Sequence, residues 1–233
     1  MIAEENFSSC ETPFLSISSR AILPHIHMLM KQAIPCFINY IHSENYKKKN
    51  LNEDDLTQIY IEQAQILIRK HNYPFNVNGQ YRDITNLSKG FSDFYFFPNE
   101  LGVSTNSIYS VESKRLPAPD KFREKEYVIG NNKNGGIERY KNQIHGKGLN
   151  ECGLIGFVEK HNFKYWLDLI NSWIEDLALS NRNWNEEERL LEIESHVDFC
   201  FLHSKAKREE KDIELHHFWI ELGNGNSISN SKK

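Results

Sequence analysis

Apolar residues recur at helical spacing over residues 21–41, at Ile22, Ile26, Met30, Ala33 and Phe37. Pro24 belongs to the first turn of such a helix, and Pro35 is expected to kink or end it. Residues 46–50, with three consecutive lysines, read as a solvated linker. Asn52 is placed to cap a second helix: Glu53, Asp54 and Asp55 fill its first turn, where the helix dipole favours negative charge. Leu56, Ile59, Tyr60, Ala64 and Leu67 supply its buried stripe. From Asn72 the pattern predicts strands at 73–77, 91–97 (stopped by Pro98) and 108–114 (ended by Pro117 and Pro119), with a loop over 79–90. Gly135-Gly136 introduces a helix predicted over 137–145 and closed by Gly146. A short strand follows at 154–158, then an amphipathic helix over 163–179 through Trp166, Leu169, Ile170, Trp173 and Leu177. A hairpin is expected last, 196–202 with 213–222, joined by a charged turn at Arg208–Lys211.

The expected class is therefore α/β, with a mixed, partly antiparallel sheet flanked by helices. The order divides into residues 1–50 (polar lead and first helix), 51–222 (the main domain) and a Gly/Asn/Ser/Lys tail at 223–233, expected to be disordered. Hydrophobic residues at 39% and aromatics at 12% suit a packed interior and exclude an acidic disordered chain. A net charge of −4 excludes a uniformly basic nucleic-acid coat but leaves room for a local basic groove. No apolar run approaches the ~18 residues of a membrane helix. Glu4 and Glu5 stand where a signal peptide carries basic residues, so a cytoplasmic location is expected. Cys10, Cys36, Cys152 and Cys200 fall in no metal-ligand spacing and read as ordinary thiols.

Two stretches concentrate chemistry. Asp93 sits inside the aromatic run 91–97, where an uncompensated carboxylate costs desolvation energy unless it faces outward on an edge strand or caps a turn. Glu112 and Lys114 lie two apart on the next strand and therefore share a face. Alone, the pair reads equally well as a surface ion pair. A hairpin-like connection brings Asp93 and Glu112 to one edge of the sheet, and two converging carboxylates suit Mg²⁺ or Mn²⁺. A lysine beside them can steady charge on a phosphate or act on an attacking water. His203, His216 and His217 match no finger or H-E-x-x-H spacing, and the two adjacent histidines must face opposite sides of a strand. Phosphate-loop and nucleophile-elbow motifs are absent from the sequence.

Over residues 53–159, Asp93, Glu112-Ser113-Lys114 and the order helix-strand-strand-strand-helix-strand resemble the PD-(D/E)xK superfamily of restriction-endonuclease-like nucleases. Ser92 stands where the motif often has proline. The resemblance implies a restriction-endonuclease-like core, Asp93 and Glu112 as metal ligands, and Lys114 as the catalytic cation. It also implies a glutamate on the first core helix, for which Glu53 is the best match and Glu62 the second. Arg139 and Gln143, one turn apart on the following helix, match the basic or amide residues expected near the phosphate. The implied function is Mg²⁺- or Mn²⁺-dependent hydrolysis of nucleic acid, DNA rather than RNA, with a link to restriction or phage defence by analogy. A homodimer is implied where both strands are cut. The alternative is an inactive nucleic-acid-binding or protein-interaction module with the same fold.

Charge is unevenly spread. Residues 114–147 hold nine Lys/Arg against four Asp/Glu, and residues 151–194 hold four against ten. The basic stretch, with Lys121, Arg123 and Lys125, reads either as a phosphate-attracting surface or as a solvated loop. Gly135-Gly136 reads as a phosphate-facing helix start or a plain turn. Lys205, Lys207 and Arg208 read as a solvated turn or a further nucleic-acid contact.

Overall fold

The computed structural model describes residues 18–43, 50–82, 91–100 and 103–223. The lead-in, Cys10, most of the 46–50 linker, residues 83–90 of the expected loop and the tail from 224 lie outside the described residues. The described chain is mixed α/β. Two helices come first, α1 (Ser19–Ile41) and α2 (Glu53–His71), followed by strands β1 (Phe75–Arg82), β2 (Phe91–Pro98) and β3 (Tyr109–Leu116). Then come α3 (Gly136–Lys141), β4 (Glu151–Val158), α4 (Phe163–Ser180), β5 (Leu191–Ser195), β6 (Phe199–Ala206) and β7 (Ile213–Glu221). All seven strands form one sheet in the order β1-β2-β3-β4-β7-β6-β5. The first three are antiparallel neighbours, β3, β4 and β7 run parallel, and β7, β6 and β5 are again antiparallel.

Strand alternation divides the interior into two cores. On one face α1 and α2 pack over Phe94, Phe96, Val111, Ile155, Phe157 and Phe218. On the other, Tyr140 of α3 and Trp166, Ile170 and Trp173 of α4 pack with Leu154, Leu202 and Trp219. Gly156 of β4 permits this second layer, because a Cβ there would stand 2.4 Å from the Trp219 ring. No helix among the described residues is long and apolar enough to cross a membrane.

Four elements depart from the sequence pattern. α1 runs unbroken through Pro24 and Pro35. Each interior proline costs on the order of 3 kcal/mol, yet Ile22, Ile26, Leu29, Met30, Ala33, Ile34 and Phe37 are all buried along its inner face, and that burial outweighs the loss. β1 continues to Arg82, into the expected loop. β5 went unanticipated because its apolar residues point outward: Leu191 and Ile193 are exposed on this edge strand. α3 stops at Lys141, four residues short of the expected end.

His217 shows how the second core accommodates polar groups. The Trp219 indole N–H donates to Tyr127 Oη (2.8 Å), and the Tyr127 hydroxyl hydrogen-bonds with His217 Nδ1 at 2.8 Å. His217 Nε2 hydrogen-bonds with Ser204 Oγ at 2.9 Å. Burial holds this imidazole neutral and pushes its pKa from 6.5 down to about 3. In the unfolded chain it takes up a proton near pH 6.5, so its contribution to stability is complete above that pH and is lost as pH falls towards 3. Between pH 7 and pH 5 the unfolding free energy should fall by about 2 kcal/mol on this account. Urea titrations of wild type and His217→Gln at both pH values check it: the variant should show a correspondingly smaller difference.

Candidate active site

The capping box at the start of α2 positions the first carboxylate. Asp55 N donates to Asn52 Oδ1 (2.9 Å) and Asn52 N donates to Asp55 Oδ2 (3.0 Å), which fixes the first turn. Glu53, in that turn, accepts from Arg115 N at 3.0 Å through Oε2 and lies 3.2 Å from Lys114 Nζ through Oε1. The antiparallel register Phe94–Val111 and Phe96–Tyr109 aligns β2 with β3. Just past the Phe94–Val111 pair, the Asp93 side chain accepts the Ser113 N–H at 2.6 Å. Asp93 shares its half-buried face with Tyr95 and Phe97, opposite the buried Phe94 and Phe96.

Glu112 lies at the centre and has no exposed surface. Its Oε1 stands 2.9 Å from Lys114 Nζ, as their two-residue spacing on β3 requires, and also accepts from Arg139 Nη1 of α3. Its Oε2 lies 3.0 Å from His145 Nδ1, within ion-pair range but without the alignment of a hydrogen bond. Lys114 Nζ also donates to Ser113 O at 2.8 Å. The structure therefore brings Glu53, Asp93, Glu112, Lys114 and Arg139 together from α2, β2, β3 and α3.

The charges are unevenly balanced. Burial would raise the Glu112 pKa, but Lys114, His145 and Arg139 outweigh it and hold the carboxyl down at about 2. Burial likewise opposes the Lys114 charge, yet Glu112, Glu53 and Asp93 raise its pKa above the ordinary lysine value. Asp93 goes the other way: burial and then the nearby Glu112 charge push it up to about 7, further than Lys114 and the Ser113 N–H pull it down. Glu112 is compensated; burial leaves Asp93 holding its proton more readily than an ordinary carboxyl.

Two expected positions fall elsewhere. Glu62 points along exposed α2, where it accepts from Gln58 at 3.0 Å. Gln143 lies beyond the end of α3 with left-handed backbone (φ 55°) and lines another cleft with Lys141, Asn142 and Arg208. A helix reaching residue 145 would have set Gln143 one turn beyond Arg139. The reversal at Gln143 instead carries His145, a residue the sequence pattern did not single out, onto Glu112. Gly146 holds this turn at φ 60°, and a Cβ there would strike Cys152 Sγ at 2.5 Å. The readable signal for His145 was its place directly before that glycine.

Two other readings are corrected. The first N–H groups of α3 donate to backbone carbonyls (Gly136 to Glu126, Ile137 to Tyr127, Glu138 to Val128), so Gly135-Gly136 does not present them to a phosphate. Arg208 is neither a solvated nor a nucleic-acid-facing residue of its turn: it donates to the carbonyls of Tyr140, His145, Gly146 and Leu149. Lys205 and Lys207 are ion-paired with Glu214 and Glu187.

Glu112→Gln should lower the unfolding free energy in EDTA by about 3–5 kcal/mol, because it strands Lys114 and Arg139 beside a neutral group in the interior. Gln143→Ala should stay within about 0.5 kcal/mol of wild type. Urea melts of the two variants check both figures.

Set against protein-family models, curated proteins and solved structures, the chain matches none of them, and its function is read from the geometry of this cluster.

Proposed function

We propose that the chain is a divalent-metal-dependent nuclease of restriction-endonuclease-like build. It would act in the cytoplasm on nucleic acid, DNA before RNA, and as a homodimer where both strands are cut. The observation that carries this reading is the convergence of Glu53, Asp93, Glu112 and Lys114 from three elements. The run of α2, three antiparallel strands, α3 and the parallel strand β4 supports it, being the order that the Asp93 and Glu112-x-Lys114 motif resembles.

The residues fit a hard cation. Glu112 Oε2 is a buried carboxylate oxygen approached by His145 Nδ1 at 3.0 Å, and the largely buried Asp93 carboxyl beside it would lose its proton more readily next to a cation. Asp93 and Glu112 would hold Mg²⁺ or Mn²⁺, with Glu53 behind Lys114. The cation would supply Lewis-acid stabilisation of the phosphate and an acidified water. Lys114, fixed by Glu112, Glu53 and Ser113 O, is charged at neutral pH and donates towards the developing negative charge rather than accepting a proton. Arg139 anchors one side of Glu112 and lines the adjoining cleft, where it can reach a phosphate oxygen.

That cleft, about 780 Å³, is walled by Lys121, Phe122, Arg123, Lys125 and Arg139 together with Glu124 and Glu126, the second of which pairs with Arg123 at 2.6 Å. Phe122 is 93% exposed, an aromatic face among cations, as single-stranded or flipped bases use for stacking. A second reading, a binding module without cleavage, draws on the burial of Glu112: its charge is already met by Lys114 and Arg139, and His145 Nδ1 lies 3.0 Å from its other oxygen.

Mg²⁺-dependent cutting of plasmid, linear and single-stranded substrates separates the readings. Lys114→Ala should lower the rate ~10²–10⁴-fold while nucleic-acid affinity survives. Binding without cutting by wild type moves the assignment to the binding module. Charge reversal of Lys121, Arg123 and Lys125 together should weaken binding about equally across sequences and flatten its salt dependence, since phosphate contacts carry no base information. Titrations at several salt concentrations read both effects, and unchanged affinity would return the cleft to ordinary solvated surface.

A further inference from the structure

On the opposite face of the sheet, three residues from distant parts of the chain meet around one carboxylate. His27 projects from α1, Glu151 opens β4, and His216 lies in β7, whose register sets it beside Gly153. His27 Nε2 is 3.8 Å and His216 Nε2 is 3.4 Å from the same oxygen, Glu151 Oε2, and one ligand atom from each residue falls within 4.8 Å of the others. A tetrahedral ion with bonds of ~2.0–2.1 Å separates its ligand atoms by about 3.3 Å. The two imidazole–carboxylate distances, 3.4 and 3.8 Å, are slightly longer than that.

The surroundings add an independent observation. His27 Nε2, His216 Nδ1 and Tyr109 Oη are all buried without a hydrogen-bond partner. Tyr109 stacks edge-on against His27 at 5.3 Å and its hydroxyl lies over Gly153. His27 Nε2, which faces the Glu151 carboxylate, is the orphaned atom that a bound ion would satisfy, and it is costly as it stands. A plain aromatic cluster accounts for the ring contacts, His27 to His216 at 4.0 Å and His216 to Phe201 at 5.8 Å. It leaves His27 Nε2 unsatisfied where it faces Glu151.

We propose that His27, Glu151 and His216 form a binding site for a borderline transition-metal dication, Zn²⁺ by preference, which clamps α1 to β4 and β7. Two imidazoles and a carboxylate are the donor set of Zn²⁺ rather than of Mg²⁺. The fourth position is left to water. The site is separate from the Glu112 cluster, because Glu151 and His216 face α1 whereas Glu112 aligns with Leu154 and His217 on the α3 side.

The test begins with full-length protein stripped by EDTA and dialysed, then titrated with Co²⁺ and Zn²⁺ in separate runs. The expected result is one equivalent per chain, the strong visible bands of four-coordinate Co²⁺, and a Tm raised by roughly 5–10 °C at a hundredfold excess of Zn²⁺ over its Kd. Glu151→Gln and His216→Gln should each weaken Zn²⁺ binding at least ~10²-fold, whereas Asp93→Asn should keep the Co²⁺ bands, which separates this site from the proposed nuclease centre. Wild type without four-coordinate bands overturns the proposal whatever the variants do. So does a Glu151→Gln or His216→Gln protein that binds as wild type, or loss of the bands in Asp93→Asn.

Discussion

The junction of β3 with α3 and the turn after it is arranged around the Glu112 carboxylate. A charge with no exposed surface persists only where cations are delivered to it, and here they come from two directions. Lys114 is supplied by the strand itself and Arg139 by α3, while the turn that follows sets His145 Nδ1 3.0 Å from Oε2. Because Lys114 and Arg139 are themselves largely buried, neither can leave without stranding another charge. That mutual dependence holds β3, α3 and the α3–β4 turn in one geometry.

The turn is in turn secured from far along the chain. Arg208, in the β6–β7 connection, donates to four carbonyls between Tyr140 and Leu149. Lys141 pairs with the buried Glu188, which also accepts from Lys207 N at 2.5 Å. The C-terminal hairpin therefore acts as a brace for the segment that presents Arg139 and His145. Lys205, Lys207 and Arg208 of that hairpin are spent on the protein's own carbonyls and carboxylates, and beside the cluster the 121–125 segment presents Lys121 and Lys125 with Arg123, which is paired with Glu126.

The sheet separates two kinds of site. Towards α3 the groups are hard and charged, with carboxylates compensated by lysine and arginine. Towards α1 they are imidazoles among aromatic rings. Gly153 and Tyr109 lie between β3, β4 and β7 on that second side, and the same short strands serve both faces because their side chains alternate.

The alternation is also why so much of the Glu112 cluster was legible in the sequence. A period of two puts Glu112 beside Lys114 in any strand, and a short connection between two apolar strands brings Asp93 alongside. Asn52 with Asp55 marks the start of α2, and so the place of Glu53. These are local rules, needing only neighbours within a few residues. Where α3 ends, which proline a helix survives and whether Leu191–Ser195 pairs as an edge strand depend on partners far away in sequence. Burial of the inner face of α1 overrides Pro24 and Pro35. Arg208 and Gly146 end α3 early, which turns Gln143 away and brings His145 in. His27, Glu151 and His216 share no spacing at all, since three separate elements must pack before their ligand atoms meet. Sequence by itself determined the chemistry of neighbours along a strand or a helix turn; the tertiary structure alone decided which distant groups came together, because only packing sets distances between segments that no period connects.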